Sequence, residues 1–275
     1  IERTDDHYTL GQNGQVSMAE TIPVCENIRA VYHQSQLPEA KQILDGSSFT
    51  LLNWNSYKGS MQGWVETFTD LSEKTDIITL QEGYITESLS RAFETNKLTW
   101  DMASAFQKDK VSAGVLTASK VAPEGICSFW DDEPILTIPK TSMVTRYRLD
   151  SGQSLLVINI HMINFTIGTK SFARQLEKTR TVIEHHDGPI ILAGDFNTWN
   201  TGRQEILEHL AASLSLTPVT YNEDNRTRFL GEVVDHIYYR GLTLVDAQTL
   251  SLDVSDHNPI LATFSAPDSK PAPKG

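Results

Sequence analysis

Four short apolar, β-branched runs each end on a polar or titratable residue. They are FTLLNWN (Phe49–Asn55) ending on Asn55, DIITLQE (Asp76–Glu82) on Glu82, SLLVINIH (Ser154–His161) on His161, and PIILAGDFN (Pro189–Asn197) on Asp195 and Asn197. Runs of this length that lack alternation fit strands covered on both faces of a sheet. A buried strand that closes on a carboxylate, amide or imidazole holds that group at the sheet rim, where α/β proteins place their sites. Four such ends in one chain predict that distant segments converge on one cluster.

Three more runs, GVLTAS (Gly114–Ser119), VVDHIYY (Val233–Tyr239) and PILATF (Pro259–Phe264), read as further strands. Helical spacing places Phe172, Leu176, Thr179 and Ile183 on one face, and Ile206, Leu207, Leu210 and Leu214 on another. Strands mixed with helices predict α/β layers. Residues 1–47 read as a polar arm without a sustained helix or strand period, 48–265 as the folded body, and 266–275, rich in Pro, Lys and Ser, as a disordered tail.

Charge bears on partners. Lys and Arg number 23 against 35 Asp and Glu, a formal net charge of −12. Proteins that grip long nucleic acid through its phosphates need clustered cations, so any nucleic acid here is handled locally. The 39% hydrophobic content excludes intrinsic disorder, and no run of about 18 apolar residues spans a membrane. Cys25 and Cys127 are too few for a disulfide scaffold or a cysteine zinc site, and their pairing stays open. GxSxG, GxxxxGK[ST] and HExxH are absent, which removes the main support for serine hydrolase, P-loop and zincin chemistry. The first residue, Ile1, suggests a processed or truncated product; cytoplasm and periplasm both remain open.

Glu82 is the first choice of ligand for a hard cation, because burying its neighbours fixes the carboxylate and Mg²⁺ needs only one or two protein carboxylates beside water. Asn55 offers a neutral amide oxygen to the ion or a phosphate. The alternatives are a helix cap for Glu82 and a turn start for Asn55. In GDFN, Asp195 and Asn197 share a side if the chain stays extended and can hold a water and a phosphoryl oxygen, or form an Asx turn. SDHNP places Asp256 and His257 just before a buried run, and histidine beside a carboxylate suits general base work. Asp235 is the acid to orient it, since Asp235 and His236 face opposite sides of a strand.

His161 can donate to a developing phosphoryl charge, with Asn159 and Asn164 as weaker companions. Arg146 and Arg148, alternating with Tyr147, can bring a guanidinium to a phosphate or form an ordinary strand edge. His185 and His186 read as a helix end, and Asp131–Asp132–Glu133 as a solvated acidic loop.

Taken in order, NWN (Asn53–Asn55), LQE (Leu80–Glu82), NIH (Asn159–His161), GDFN, VDHI (Val234–Ile237) and SDHNP (Ser255–Pro259) resemble the endonuclease/exonuclease/phosphatase superfamily with the DNase I-like fold. The linking text GDFNTWN, YYRGL and SDHNPILATF is most similar to its YafD-type branch in Gram-negative bacteria. The resemblance implies a four-layer α/β sandwich, two packed, mainly antiparallel β-sheets flanked by helices, with phosphoesterase chemistry that depends on Mg²⁺ or, in its place, Mn²⁺. It implies Glu82 as principal metal ligand with Asn55 beside it and Asp256 near the metal. Asp195 and Asn197 then position water and phosphate, His257 acts as base or phosphate contact oriented by Asp235, and His161 stabilises the transition state. Inositol polyphosphate 5-phosphatases carry a PSWCDR-like stretch where this chain has VVDHIYY, which lowers that substrate class. The resemblance leans slightly to the cytoplasm. A nuclease is the first expectation, a phosphatase or phospholipase acting on a small metabolite or lipid head group the second, and a non-catalytic binding protein the third. No protein partner is expected.

Overall fold

The computed structural model describes residues 43–108, 111–134, 138–166 and 168–267, and the backbone of three short strands before residue 18. Cys25, the rest of the polar arm and the tail from residue 268 lie outside the described residues. Cys127 is buried and carries no free thiol.

Two sheets face each other. The first has nine strands: β17 (Thr243–Thr249), β18 (Ile260–Ser265), β5 (Phe49–Asn55), β6 (Ile77–Tyr84), β8 (Val111–Ser119), β7 (Thr99–Lys108), β2 (His7–Leu10) and β3 (Val16–Ser17) in spatial order, with β1 (Glu2–Arg3) also on β7. The second has seven: β13 (Thr217–Pro218), β16 (Asp235–Arg240), β12 (Ile190–Asp195), β11 (Ser154–His161), β10 (Pro139–Leu149) and β4 (Ile43–Leu44), with β9 (Gly125–Asp132) also on β10. A separate hairpin pairs β14 (Arg228–Phe229) with β15 (Glu232–Val233). The arm thus supplies short strands to both sheets where its sequence shows no strand period.

The layers follow from side-chain alternation. In β5, Leu52 and Trp54 face outward onto helices α1 (Trp64–Glu73) and α2 (Glu87–Thr95), while Leu51 points to the second sheet. An aromatic ladder, Trp54, Trp64, Phe68, Phe93 and Trp100, with ring centroids 5.0–5.7 Å apart, fastens those helices down. In β11 and β12, Leu156, Ile158, Ile190 and Leu192 pack on helices α3 (Lys170–Glu184) and α4 (Thr201–Ser213), while Leu155, Val157, Ile191 and Ala193 fill the space between the sheets. The result is the expected four-layer sandwich. Sequence spacing located α3 and α4; α1, α2, β7, β9 and β17 were not among the predicted elements.

Most pairings are antiparallel, but β5 runs parallel to β6, β11 to β12, and the short β4 to β10. The first two of these pairs are each joined through a helix, α1 and α3, so two strand ends from each sheet arrive at the same rim. β11 and β12 approach so closely at Gly194 that a Cβ there would lie 1.9 Å from the Ile160 carbonyl oxygen. Gly194 therefore serves backbone approach inside β12 rather than a turn. Gly194→Ala should cost about 3 kcal/mol, read as a lower urea midpoint.

Candidate active site

Glu82 owes its position to a bulge. The β6–β8 register shifts between Leu80 and Gly83, and Glu82 takes φ 51°, a conformation costly for a residue with a Cβ. The bulge breaks strict alternation: Gln81 stays buried between the sheets while Glu82 reaches the rim and pairs with Lys58. Beneath it, Gln81 Nε2 donates to Asn53 Oδ1 (2.9 Å) and Asn159 Oδ1 (2.7 Å), and Asn159 Nδ2 donates to the Leu116 carbonyl (2.9 Å). Asn159 is thus part of a buried polar floor joining the sheets.

Asp195, the last residue of β12, is the hub. Its Oδ2 accepts from Asn55 Nδ2 at 3.0 Å and lies 3.5 Å from His161 Nε2 and 3.9 Å from His257 Nε2. Its Oδ1 accepts the Asn197 N–H at 2.9 Å, so the Asx turn and the site are one structure. Asn197, at φ 50°, ties its amide to the Met162 carbonyl at 2.9 Å. His257 Nδ1 meets Asp235 Oδ2 at 2.8 Å, and the loop carrying it is pinned to β5 by Trp54 Nε1 donating to the His257 carbonyl and Ser255 Oγ to the Asn55 carbonyl, both 2.8 Å. Asp256 is the most exposed of these groups; partial burial of its carboxyl raises it above the ordinary carboxylate value, opposed by His257 and reinforced by Glu82.

Burial opposes the His257 imidazolium most, but Asp235, Asp195 and Asp256 together outweigh it and raise the group to about 10. Burial pushes the Asp195 carboxyl up to about 6, against the pull of His257. His161 is held well below its ordinary value by burial and then by Lys140, whose ammonium donates to His161 Nε2 at 2.8 Å. With Nε2 accepting, the ring proton sits on Nδ1. In this arrangement His161 Nε2 is occupied by the Lys140 ammonium, and Nδ1–H is the ring's remaining donor.

Arg146 and Arg148 are not at the site. Arg146 pairs with Glu124 at 3.1 Å, four residues along β10 from Ser142, which lies opposite Ile160; that is about 13 Å of strand. Arg148 is exposed further on, and β10 is an interior strand rather than an edge. Asn164 borders the cleft, accepting from Trp199 Nε1 at 2.9 Å. The acidic run is not a solvated loop: Asp131 is buried against Lys178 at 2.9 Å, and buried Glu133 accepts the backbone N–H groups of Asn164 and Phe165.

His236 turns to the opposite face from Asp235, where Nε2–H donates to Thr198 Oγ1 at 2.8 Å and Arg226 Nη1 donates to Nδ1 at 3.5 Å. Burial and then Arg226 lower it to about 3. Between pH 6.5 and 3 the unfolded chain binds a proton that the native ring refuses, so stability falls as pH drops, by about 1.4 kcal/mol per unit from this group. Urea midpoints across that range should show the slope, and His236→Asn should flatten it.

The site suits a divalent cation. Ligand atoms of Asp195, Asp235 and His257 lie within 4.8 Å of one another, and Asp235 Oδ1 is buried without a hydrogen-bond partner. Glu82 and Asn55 add oxygen donors at the same rim, the hard-oxygen chemistry that Mg²⁺ and Mn²⁺ take.

The family model described as Endonuclease/Exonuclease/phosphatase family matches residues 52–257. A UPF0294 protein of Vibrio parahaemolyticus is 34% identical over 262 residues, covering 95% of this chain and 92% of its own. The structure of an endonuclease/exonuclease/phosphatase from Bacteroides vulgatus has a TM-score of 0.63 at 15% identity, covering 80% of this chain and 99% of that one. A mannosyl-6-phosphatase of Bacteroides thetaiotaomicron has a TM-score of 0.60 at 16% identity, covering 78% and 99%.

Proposed function

Because the chain belongs to the endonuclease/exonuclease/phosphatase family of metal-dependent phosphoesterases, we propose that it is a phosphodiesterase that hydrolyses its substrate by in-line attack of water. The observation that carries this is the meeting of Asp195, Asp235 and His257 within 4.8 Å, with Asn55 bonded to Asp195. Glu82, Asn55 and Asp256 would hold Mg²⁺, or Mn²⁺ in its place. Bound there, the cation would polarise the phosphoryl oxygen and offset charge on the leaving oxygen.

The remaining steps belong to side chains. Asp195 and Asn197 hold the attacking water and one phosphoryl oxygen. Asp235 fixes His257 through Nδ1, leaving Nε2 to face the phosphate or the water. Lys140, seated on His161, supplies a cation to the phosphate. The water oxygen bonds to phosphorus, one P–O ester bond breaks, and the departing alkoxide takes up a proton, leaving a phosphomonoester and an alcohol.

Nucleic acid, short, single-stranded or nicked in keeping with the net charge of −12, is the first substrate class of this reading. A lipid or small-molecule diester is the second reading, favoured by the cleft beside Glu82 and His161, which is about 700 Å³ and mostly apolar in lining. A panel of labelled oligonucleotide, nicked plasmid, bis-(p-nitrophenyl) phosphate, phosphomonoesters and phosphatidylcholine, each with Mg²⁺ or Mn²⁺, separates these. Cleavage of the diesters with monoesters largely untouched is expected. Monoesters turned over faster than every diester, or no turnover at all, would reject the proposal.

A further inference from the structure

The turn between β5 and α1 holds three consecutive residues in the left-handed region: Tyr57 at φ 47°, Lys58 at 61° and Gly59 at 61°. Only the glycine suits that backbone, so Tyr57 and Lys58 are strained. Glu82, on the facing bulge of β6, is strained in the same way at φ 51°. The two segments persist side by side because they are stitched together. Ser56 donates its N–H to the Gln81 carbonyl at 2.9 Å and shares its hydroxyl between the Gln81 and Glu82 carbonyls at 3.1 and 3.0 Å. The Tyr57 N–H donates to Asn55 Oδ1 at 3.2 Å. Strain held in place by its surroundings collects at functional positions, and here it delivers the Lys58 ammonium to the Glu82 carboxylate.

Lys58 and Lys140 line the same cleft as Glu82 and His161, but they are held differently. Lys140 projects from β10 and is seated on His161 Nε2 at 2.8 Å. The Lys58 side chain is 41% exposed, lies 5.4 Å from the Tyr57 ring, and has Glu82 as its one polar partner among the described residues. Its charge is nevertheless felt by Asp256, His161 and Lys140. A hard divalent ion bound by Glu82 takes the same carboxylate oxygens that the Lys58 ammonium meets. Two cations sharing one carboxylate repel each other, so the ion releases the ammonium. The flexible four-carbon stem then keeps the freed charge in the cleft beside Lys140, where a phosphate has to sit.

We propose that Lys58 couples cation binding to phosphate binding: it gives up Glu82 to the divalent cation and then pairs with the substrate phosphate. This rests on the phosphodiesterase reading with Glu82 as metal ligand, and adds to it the residue that links the two affinities. Without phosphate the ammonium competes with the cation for Glu82; with phosphate it has another partner and no longer competes. Such coupling is reciprocal, so phosphate tightens the cation by the same factor as the cation tightens phosphate.

The test measures Mn²⁺ bound to the full chain, from the electron paramagnetic resonance signal of the free ion, with dimethyl phosphate as the diester probe. Wild type should bind Mn²⁺ about tenfold more tightly once dimethyl phosphate is saturating. Lys58→Met should bind Mn²⁺ about tenfold more tightly than wild type without the probe, and gain little when it is added. A lysine that only propped up the turn would not give that gain, since loosening the turn weakens a site. Lys58→Arg, which keeps the charge, should behave as wild type. In a Glu82→Gln background, Lys58→Met should change Mn²⁺ affinity by less than about twofold. At saturating Mn²⁺, Lys58→Met should raise KM for bis-(p-nitrophenyl) phosphate about tenfold and leave kcat near wild type. Lys58→Met that binds Mn²⁺ no more tightly than wild type, wild type that gains nothing from dimethyl phosphate, or an equal gain in both would each overturn the proposal. Any of these with diester turnover intact leaves the phosphodiesterase reading standing; wild type that neither binds Mn²⁺ nor turns over a diester overturns both.

Discussion

Asp195→Asn should lower kcat/KM for a soluble phosphodiester by about 10²–10⁴-fold while the protein stays folded. The substitution keeps the shape of a buried side chain but removes the charge that faces both imidazoles and receives the Asn55 amide. His257→Ala should cost a similar factor. Asp235 acts through the 2.8 Å contact with His257 Nδ1, so Asp235→Asn combined with His257→Ala should be scarcely slower than His257→Ala alone. Glu82→Gln has a different signature: the concentration of Mg²⁺ or Mn²⁺ needed for half-maximal rate should rise. Steady-state kinetics with metal titration checks all four variants. An Asp195→Asn enzyme within about threefold of wild type would remove Asp195 from the chemistry.

Arg203→Met should lower stability by about 3 kcal/mol or more and reduce activity in the fraction that still folds. The buried guanidinium donates to the carbonyls of Ile163 and Asn197 at 2.9 Å and Asn164 at 2.7 Å, and to Thr166 Oγ1 at 2.9 Å. It also lies over the Phe172 and Trp199 rings at 5.1 and 4.6 Å. Methionine fills the volume but leaves those oxygens without a donor, and the loops carrying Met162, Asn164 and Asn197 lose their common anchor. Lysine should not rescue, because one nitrogen cannot serve four acceptors in a planar fork. Urea unfolding gives the stability loss, and kinetics at a temperature where the variant is folded gives the rest.

Strand ends were legible in the sequence because burial and chemistry change abruptly there. Asn55, Glu82, His161 and Asp195 each close an apolar run, and the structure brings all four to one rim with Asn197, Asp235 and His257. Helices α3 and α4 were legible from their apolar spacing, whereas α1 follows Gly63, which offers no side-chain cap, and packs through aromatics. Thr86, which caps Leu89 N–H in front of Glu87, was a usable signal for α2. Arg146 and Arg148 misled because a charged residue on a strand declares its face but not its distance from the rim. Lys140, Glu133 and Arg203 gave no local signal. Their roles come from partners 21 to 40 residues away: His161 for Lys140, Asn164 and Phe165 for Glu133, Ile163 and Asn164 for Arg203.

The order of apolar runs and their polar endings determined the layers, the family and the groups at the rim, because hydrophobic burial fixes which residues a strand hides and which it presents. Tertiary structure decided which way those groups face and what surrounds them. The bulge that aims Glu82 and the ammonium that sets the His161 tautomer arise from contacts between segments far apart in the chain, where local periodicity carries no information.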